Sequence, residues 1–288
     1  KETGKPLVYD AHNCEYDIKK QIFGSGWRPL RRRLLAGVET TERSLCQTAQ
    51  RVWVCSQADG ERFQELYGVN PGSIDLVPNG VAVDEVTPLR EEDKPALRRS
   101  LGLPEGPLVI FMGSGYLPNT EAVEWIASEM APVMPQVTFL IVGSVCDTFK
   151  DVVNRRVASA GKVKTIFAES PIPDNLRLWG IASDRDKAAL LACASLALNP
   201  MFHGSGSNMK MLAFLAAGLP LISTRVGARG LQVTGGEHLL IAESENIISA
   251  ARQLLENPEQ GRQLGQNGRK LVEQVYAWPV IARAAAQS

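Results

Sequence analysis

The residues most able to do chemistry lie between Phe202 and Leu231. Gly204, Ser205, Gly206 and Ser207 make a run of small side chains dense in backbone N–H groups, and Asn208 and Lys210 follow at once. Upstream, Leu196-Ala197-Leu198 reads as a buried strand. Downstream, Met209, Leu212, Leu215 and Ala216 recur at the i, i+3, i+6, i+7 spacing of one helix face. Strand, small-residue loop and helix start together form an anion site, because the first helical N–H groups lack partners and the positive dipole end points at the ligand. Ser207 or Asn208 would cap the helix. A cation in the first turn opposes the dipole, so Lys210 needs another reason to be there, and a bound phosphate supplies one. An ordinary strand-to-helix loop with a solvated lysine fits the same residues. The dinucleotide fingerprint does not, since Gly204 and Gly206 lack a third glycine at the required offset.

Two further segments carry candidate chemistry. Gly113-Ser114-Gly115 follows the apolar run Val109–Met112 and precedes a helix, so Gly113 and Ser114 would face a ligand at a second strand end. His12 follows the strand-like Pro6–Tyr9, and ligands of open α/β sheets sit at the carboxyl ends of strands; a plain structural histidine is the competing reading.

The elements that position these residues alternate. Strands are expected at Pro6–Tyr9, Arg51–Ser56, Ile74–Val77, Val109–Met112, Thr138–Gly143, Leu176–Gly180, Leu196–Leu198, Leu221–Ser223 and His238–Ile241. Helices are expected at 34–50, 57–67, 121–130, 147–160, 186–193, 209–217, 245–255 and 259–275. Gly218 and Pro220 stop the helix that begins at Met209. Such alternation predicts α/β architecture with parallel, doubly wound sheets. Val83–Lys94 is charged, proline-bearing and aperiodic, and reads as a linker. Only about three strands precede it, which predicts an incomplete first domain whose missing half would lie before Lys1. In Leu34–Gln50, Glu39, Glu42 and Arg43 are spaced for ion pairing along a helix.

Composition narrows the classes. The 288 residues are 44% hydrophobic and 22% charged with zero formal net charge, so no global field argues for nucleic acid. No apolar run approaches the ~20 residues that span a bilayer. The five cysteines have no metal or disulfide spacing, which fits core residues in a reducing cytoplasm. Lys19, Lys20, Trp27, Arg28 and Arg31–Arg33 beside Ile22, Phe23 and Leu30 are either a solvated helix face or a peripheral contact with anionic lipid.

The segment from Gly204 to Leu231, with Lys210 and Ala-Ala-Gly-Leu-Pro inside it, resembles the donor-binding segment of GT-B glycosyltransferases of the family 4 type. Asp10-Ala11-His12-Asn13-Cys14-Glu15 and Val77-Pro78-Asn79-Gly80-Val81 are similar to its N-terminal-domain and hinge segments. The resemblance implies two Rossmann-like domains facing a cleft, the first incomplete: 1–92 on the acceptor side, 93–272 binding the nucleotide-sugar, and 273–288 crossing back. It implies His12 as the catalytic residue facing the transferred sugar. It implies Gly113, Ser114, Gly204, Ser205, Gly206, Ser207, Asn208 and Lys210 around donor sugar and diphosphate, with Arg229 as a further cation. Gly180, Ile181 and Ala213 would meet base and ribose. Two positions where the family has glutamates hold Ser205 and Ala213, which removes the ribose acceptor. The implied activity is glycosyl transfer from a nucleotide diphosphate-sugar, retaining and metal-independent, with no cofactor. The acceptor would be a glycan, lipid-linked or small molecule, and the enzyme cytoplasmic, peripheral at the inner membrane face. A catalytically impaired nucleotide-sugar-binding scaffold and a nucleotide-sugar epimerase are the alternatives.

Overall fold

The structure is a computed structural model that describes residues 5–23, 29–159, 172–204 and 208–286. Ser205, Gly206 and Ser207, and Trp27 and Arg28 of the basic stretch, lie outside the described residues.

The first sheet is small. Strand β1 (Val8–Ala11) is followed by helices α1 (Glu15–Phe23) and α2 (Pro29–Thr48); then come β2 (Arg51–Val54), α3 (Gln57–Tyr67) and β3 (Ile74–Leu76). All three strands are parallel in the order β1-β2-β3. Ser56 caps α3 through its side chain, and Gly68 ends it at φ 65° in the left-handed region. Val52, Val54 and Phe63 are buried between them. The expected pairing on α2 is half right. Arg43 bonds Glu39, but Glu42 is buried, accepting from the Glu15 and Tyr16 N–H groups and the Tyr67 hydroxyl. It is a structural post tying α1 to α2 and α3. Leu30 and Leu34 are exposed on α2 beside Arg31–Arg33.

The second sheet has six strands. The chain runs α4 (Lys94–Ser100), β4 (Leu108–Met112), α5 (Leu117–Trp125), β5 (Thr138–Val142), α6 (Val145–Ser159), β6 (Leu176–Gly180), α7 (Asp184–Cys193) and β7 (Leu196–Asn199). It continues through α8 (Met209–Ala216), β8 (Leu221–Ser223), α9 (Arg225–Ala228), β9 (Leu240–Ile241), α10 (Ser244–Glu256), α11 (Pro258–Leu271) and α12 (Trp278–Ala285). Every pairing is parallel, in the order β6-β5-β4-β7-β8-β9. Renumbered within the sheet this is 3-2-1-4-5-6, the doubly wound order whose switch point lies between β4 and β7. Helices on both faces leave β4 and β5 buried at every position, which is why they read as unbroken apolar runs. Two layers of core, one around Phe111, Phe139 and Phe149 and one around Ile110, Leu140 and Phe214, flank the sheet.

Val83–Lys94 is a linker with two short 3₁₀ turns, at Val83–Glu85 and Glu91–Asp93. It is tied down: Arg269 of α11 donates to the carbonyls of Val86 (2.9 Å) and Ala216 (2.6 Å). The chain end returns to the residues before the linker. Val81 N–H donates to the Tyr276 carbonyl at 2.9 Å, Val81 bridges Ala277, and Trp278 and Ile281 of α12 pack over Gly80.

Candidate functional site

The ends of β4, β5 and β6, on one side of the switch point, are stapled together through glycines. Gly143 N–H donates to the Gly180 carbonyl at 2.7 Å, Gly113 N–H to the Val142 carbonyl at 2.9 Å, and Val145 N–H to the Gly113 carbonyl at 3.2 Å. Gly143 has φ 108°, and a Cβ there would fall 2.2 Å from the Gly113 oxygen. Only glycine allows backbones so close, and the result is a flat floor for a ligand.

Above that floor, between the ends of β4 and β7, lies a cavity of 380 Å³. Gly113, Ser114 and Asn119 line one side, Gly204, Asn208 and Lys210 the other, and Tyr116, His203 and Arg229 border it too. A second hollow of 330 Å³ shares Gly113 and continues over Gly143 and Ser144 to Ile181 and Lys187. The two make one trough along the carboxyl edge of the sheet. A larger hollow of 800 Å³ on the first domain, among Tyr9, Leu34 and Val38, and one of 380 Å³ behind the linker lie away from the switch point.

Lys210 dominates the trough. It is not the solvated lysine that its position allows: burial pushes its ammonium down to about 7, and no carboxylate among the described residues offsets it. Its Nζ donates to Asn119 Oδ1 at 2.6 Å, sits 4.3 Å from the Phe111 ring centroid and 3.5 Å from Met201 Sδ. An isolated buried cation is costly, and an anion in this cavity would offset that cost. Burial also lowers the Arg229 guanidinium, while Asp59 of the first domain and Tyr116 pull it back up. His203 Nε2 stands 2.8 Å from Glu121 Oε2 at the cavity rim.

Two expectations for α8 need correction. Asn208 occupies the N-cap position of α8 but makes no side-chain cap bond; its Nδ2 donates instead to the Gly227 carbonyl at 2.8 Å. Met209, assigned to the apolar face, is exposed, and α8 is buried on every side from Met211 to Ala216. His12 follows β1, but its ring is exposed, 3.7 Å from Asp10, and it is not among the residues lining the trough. Gly180 has φ 85° and Ile181 is largely exposed beside the second hollow. Ala213 borders a small hollow of 20 Å³ with Glu85, Asp184 and Lys187. Asn119 was missed. Its signal, an asparagine inside the first turn of a helix after a Gly-Ser-Gly strand end, is legible once the two loops are known to meet.

Residues 106–257 match the family model described as glycosyl transferases group 1, and residues 1–85 that of glycosyltransferase family 4. This chain belongs to the family of group 1 glycosyl transferases. The MMP alpha-(1->4)-mannosyltransferase of Mycolicibacterium hassiacum is 25% identical over 98% of this chain and 64% of its own length. The D-inositol 3-phosphate glycosyltransferase of Segniliparus rotundus is 25% identical over 92% of this chain and 56% of its own. The chain therefore spans roughly three-fifths of these relatives. Among solved structures, Anabaena HepE in complex with UDP and glucose superposes with TM-score 0.72 at 18% identity, covering 98% of this chain and 71% of that one. WaaG, a glycosyltransferase involved in lipopolysaccharide biosynthesis, gives TM-score 0.72 at 19% identity over 98% and 75%. The fold is thus GT-B, with the trough on the six-stranded Rossmann-like half.

Proposed function

We propose that this protein transfers a glycosyl unit from a nucleotide diphosphate-sugar to a hydroxyl acceptor, with the donor lying along the trough. The observation that carries the reading is the half-buried Lys210 at the switch point between β4 and β7, its ammonium bonded to Asn119 Oδ1 with no carboxylate partner among the described residues. The diphosphate fills the 380 Å³ cavity against Lys210 and Arg229, and the base extends over Gly143 toward Ile181. HepE, similar over the whole chain, binds UDP and glucose, and the curated relatives are sugar transferases, which favours transfer over epimerisation or scaffolding.

In the reaction the anomeric carbon–phosphate oxygen bond breaks and the acceptor oxygen–anomeric carbon bond forms. The acceptor proton passes to the leaving diphosphate, with the anomeric configuration retained. Charge grows on that diphosphate, and preorganised cations and N–H groups stabilise it most where water is excluded. We assign that work to Lys210, Arg229 and the backbone of Gly113 and Gly204, without a metal or cofactor. His12 at the end of β1 is the residue we place against the transferred sugar once donor and acceptor are held together. The acceptor is a glycan or lipid-linked glycan.

Calorimetric titration of the chain with UDP, GDP and ADP tests the reading. Saturable binding of one of them is expected, weakened about tenfold to a hundredfold in Lys210→Met, the range for a lost charge-assisted hydrogen bond. Binding that survives Lys210→Met unchanged would remove the donor from this cavity.

A further inference from the structure

Asn119 joins the two loops that make the cavity. It lies in the first turn of α5, is 6% exposed, and its amide is used at both ends. Nδ2 donates to the Ser114 carbonyl at 3.0 Å and lies 3.4 Å from the Ser114 hydroxyl, while Oδ1 accepts from Lys210 Nζ at 2.6 Å. Chemistry fixes this orientation. An ammonium has only donors and a carbonyl only acceptors, so the amide oxygen must face Lys210 and the NH₂ group must face Ser114. Gly113 makes room for it, since a Cβ there would stand 2.8 Å from Asn119 Cγ. The other contacts of Lys210, the Phe111 ring and Met201 sulfur, are soft and weakly directional. Asn119 supplies the directed bond.

We propose that Asn119 is a positioning residue for the donor diphosphate: its neutral amide fixes the Lys210 ammonium and the Ser114 loop in one geometry without cancelling the lysine's charge. The proposal rests on the donor-site reading above. It explains why an amide stands here. Aspartate would hold the same shape but form an ion pair, and the carboxylate would then compete with the diphosphate for the ammonium. Leucine would keep the volume and hold nothing.

Burial lowers the lysine to about 7, so a bound diphosphate draws a proton onto it. The other titratable groups around this cavity are Tyr116, Arg229 with Asp59 facing it, and His203 with Glu121. Asn119 Oδ1 bonds Lys210 directly, so an Asn119 substitution reads out through Lys210.

The test is calorimetry with UDP and GDP on the chain as it stands and on Asn119→Asp, Asn119→Leu and Lys210→Met. Each is titrated at pH 6, 7, 8 and 9 in two buffers of different ionisation enthalpy. At pH 7 the parent is expected to take up a fraction of a proton on binding, because the lowered lysine is only partly protonated there and the diphosphate favours its charged form. In Asn119→Asp the lysine is already charged, so uptake at pH 7 disappears and affinity falls about tenfold or more. In Asn119→Leu uptake rises toward one proton and affinity also falls about tenfold. A merely structural role predicts something else: both variants melt lower yet keep the parent's affinity and proton uptake. That result overturns the proposal. If Asn119→Asp does not fold, the proton uptake of Asn119→Leu makes the same decision. A parent that binds neither UDP nor GDP overturns the donor site itself and this inference with it, which separates the two failures.

Discussion

At the scale of single residues, the site depends on backbone approaching backbone. Gly143 brings the end of β5 onto Gly113, at a φ of 108° that side chains rarely adopt and with the Gly113 oxygen 2.2 Å from any added Cβ. Both the torsional strain and the clash are with main chain, so no rotamer relieves them. Gly143→Ala is expected to destabilise the second domain by about 2–4 kcal/mol. It should also shift the Gly113–Ser114 loop enough to weaken nucleoside diphosphate binding. Urea midpoints and calorimetry on the same variant check both, and an unchanged midpoint would contradict the stapled floor. The sequence shows Gly113 and Lys210 as chemistry-bearing residues because each stands at a strand end or helix start, and Gly180 enters only through the family resemblance. It does not show the burial of Lys210, because a first-turn lysine is solvated or enclosed according to what β4 and α5 bring over it. Glu42 is the same lesson in reverse: its spacing on α2 fits an exposed ion pair, but α1 and Tyr67 close over it and turn it into a buried acceptor.

At the scale of elements, α12 acts as a fastener between the two halves. Its docking rests on the absence of a side chain at Gly80, where a Cβ would come within 2.7 Å of Trp278 Cδ2 and Cε3 and 2.9 Å of Ile281 Cδ1. Trp278 is half exposed, so Gly80→Ala is expected to push the ring outward rather than break the fold, at a cost of about 1–2 kcal/mol. The readouts are a red shift in tryptophan emission and faster proteolysis after Ala277, with Trp278→Ala as the variant that mimics the undocked state. An emission maximum that stays put, with proteolysis unchanged, would show that the ring is not held against Gly80. Most strands were legible because those of a parallel sheet are buried on both faces and read as apolar runs. Helix α4 was not: Lys94–Ser100 is short and basic, and what holds it is Arg98, which donates to the carbonyls of Cys193, Glu105 and Gly106. Those bonds are invisible in a local window. The aperiodic linker was recognised by its composition, but its tether through Arg269, 183 residues from Val86, was not.

At the scale of the whole molecule, the buried cation leaves a mark on stability. Lys210 has its ammonium lowered from 10.5 to about 7 in the folded chain. Between those values the unfolded chain carries the proton and the folded one does not, so stability rises with pH across that window. The buried thiols act with the opposite sign. Cys14 is pushed from 9.0 up to about 12, and Cys46 and Cys55 to about 11, by burial first of all. Their contribution is complete below pH 9 and is lost as pH climbs through the raised values. Half-buried Tyr9 and buried Tyr67, also raised chiefly by burial, reinforce that loss above pH 10. The sum is a stability maximum between about pH 8 and 9, on the alkaline side of neutrality, with the rising limb owned by Lys210. Urea unfolding at pH 7, 8, 9 and 10 should show the midpoint climbing to that maximum and then falling. Lys210→Met removes the cost of burying the charge, so it should unfold later than the parent at pH 7, with a rising limb flattened and the falling limb kept. Each kcal/mol gained would appear as about 2–4 °C in Tm. A saturating nucleoside diphosphate should do the same to the parent by a different route, because it supplies the missing negative charge and stabilises by mass action. The ligand and the substitution are therefore expected not to add. If Lys210→Met and ligand raise stability independently, the cation is not what the ligand meets, and the anion-receiving character of the trough falls with that result.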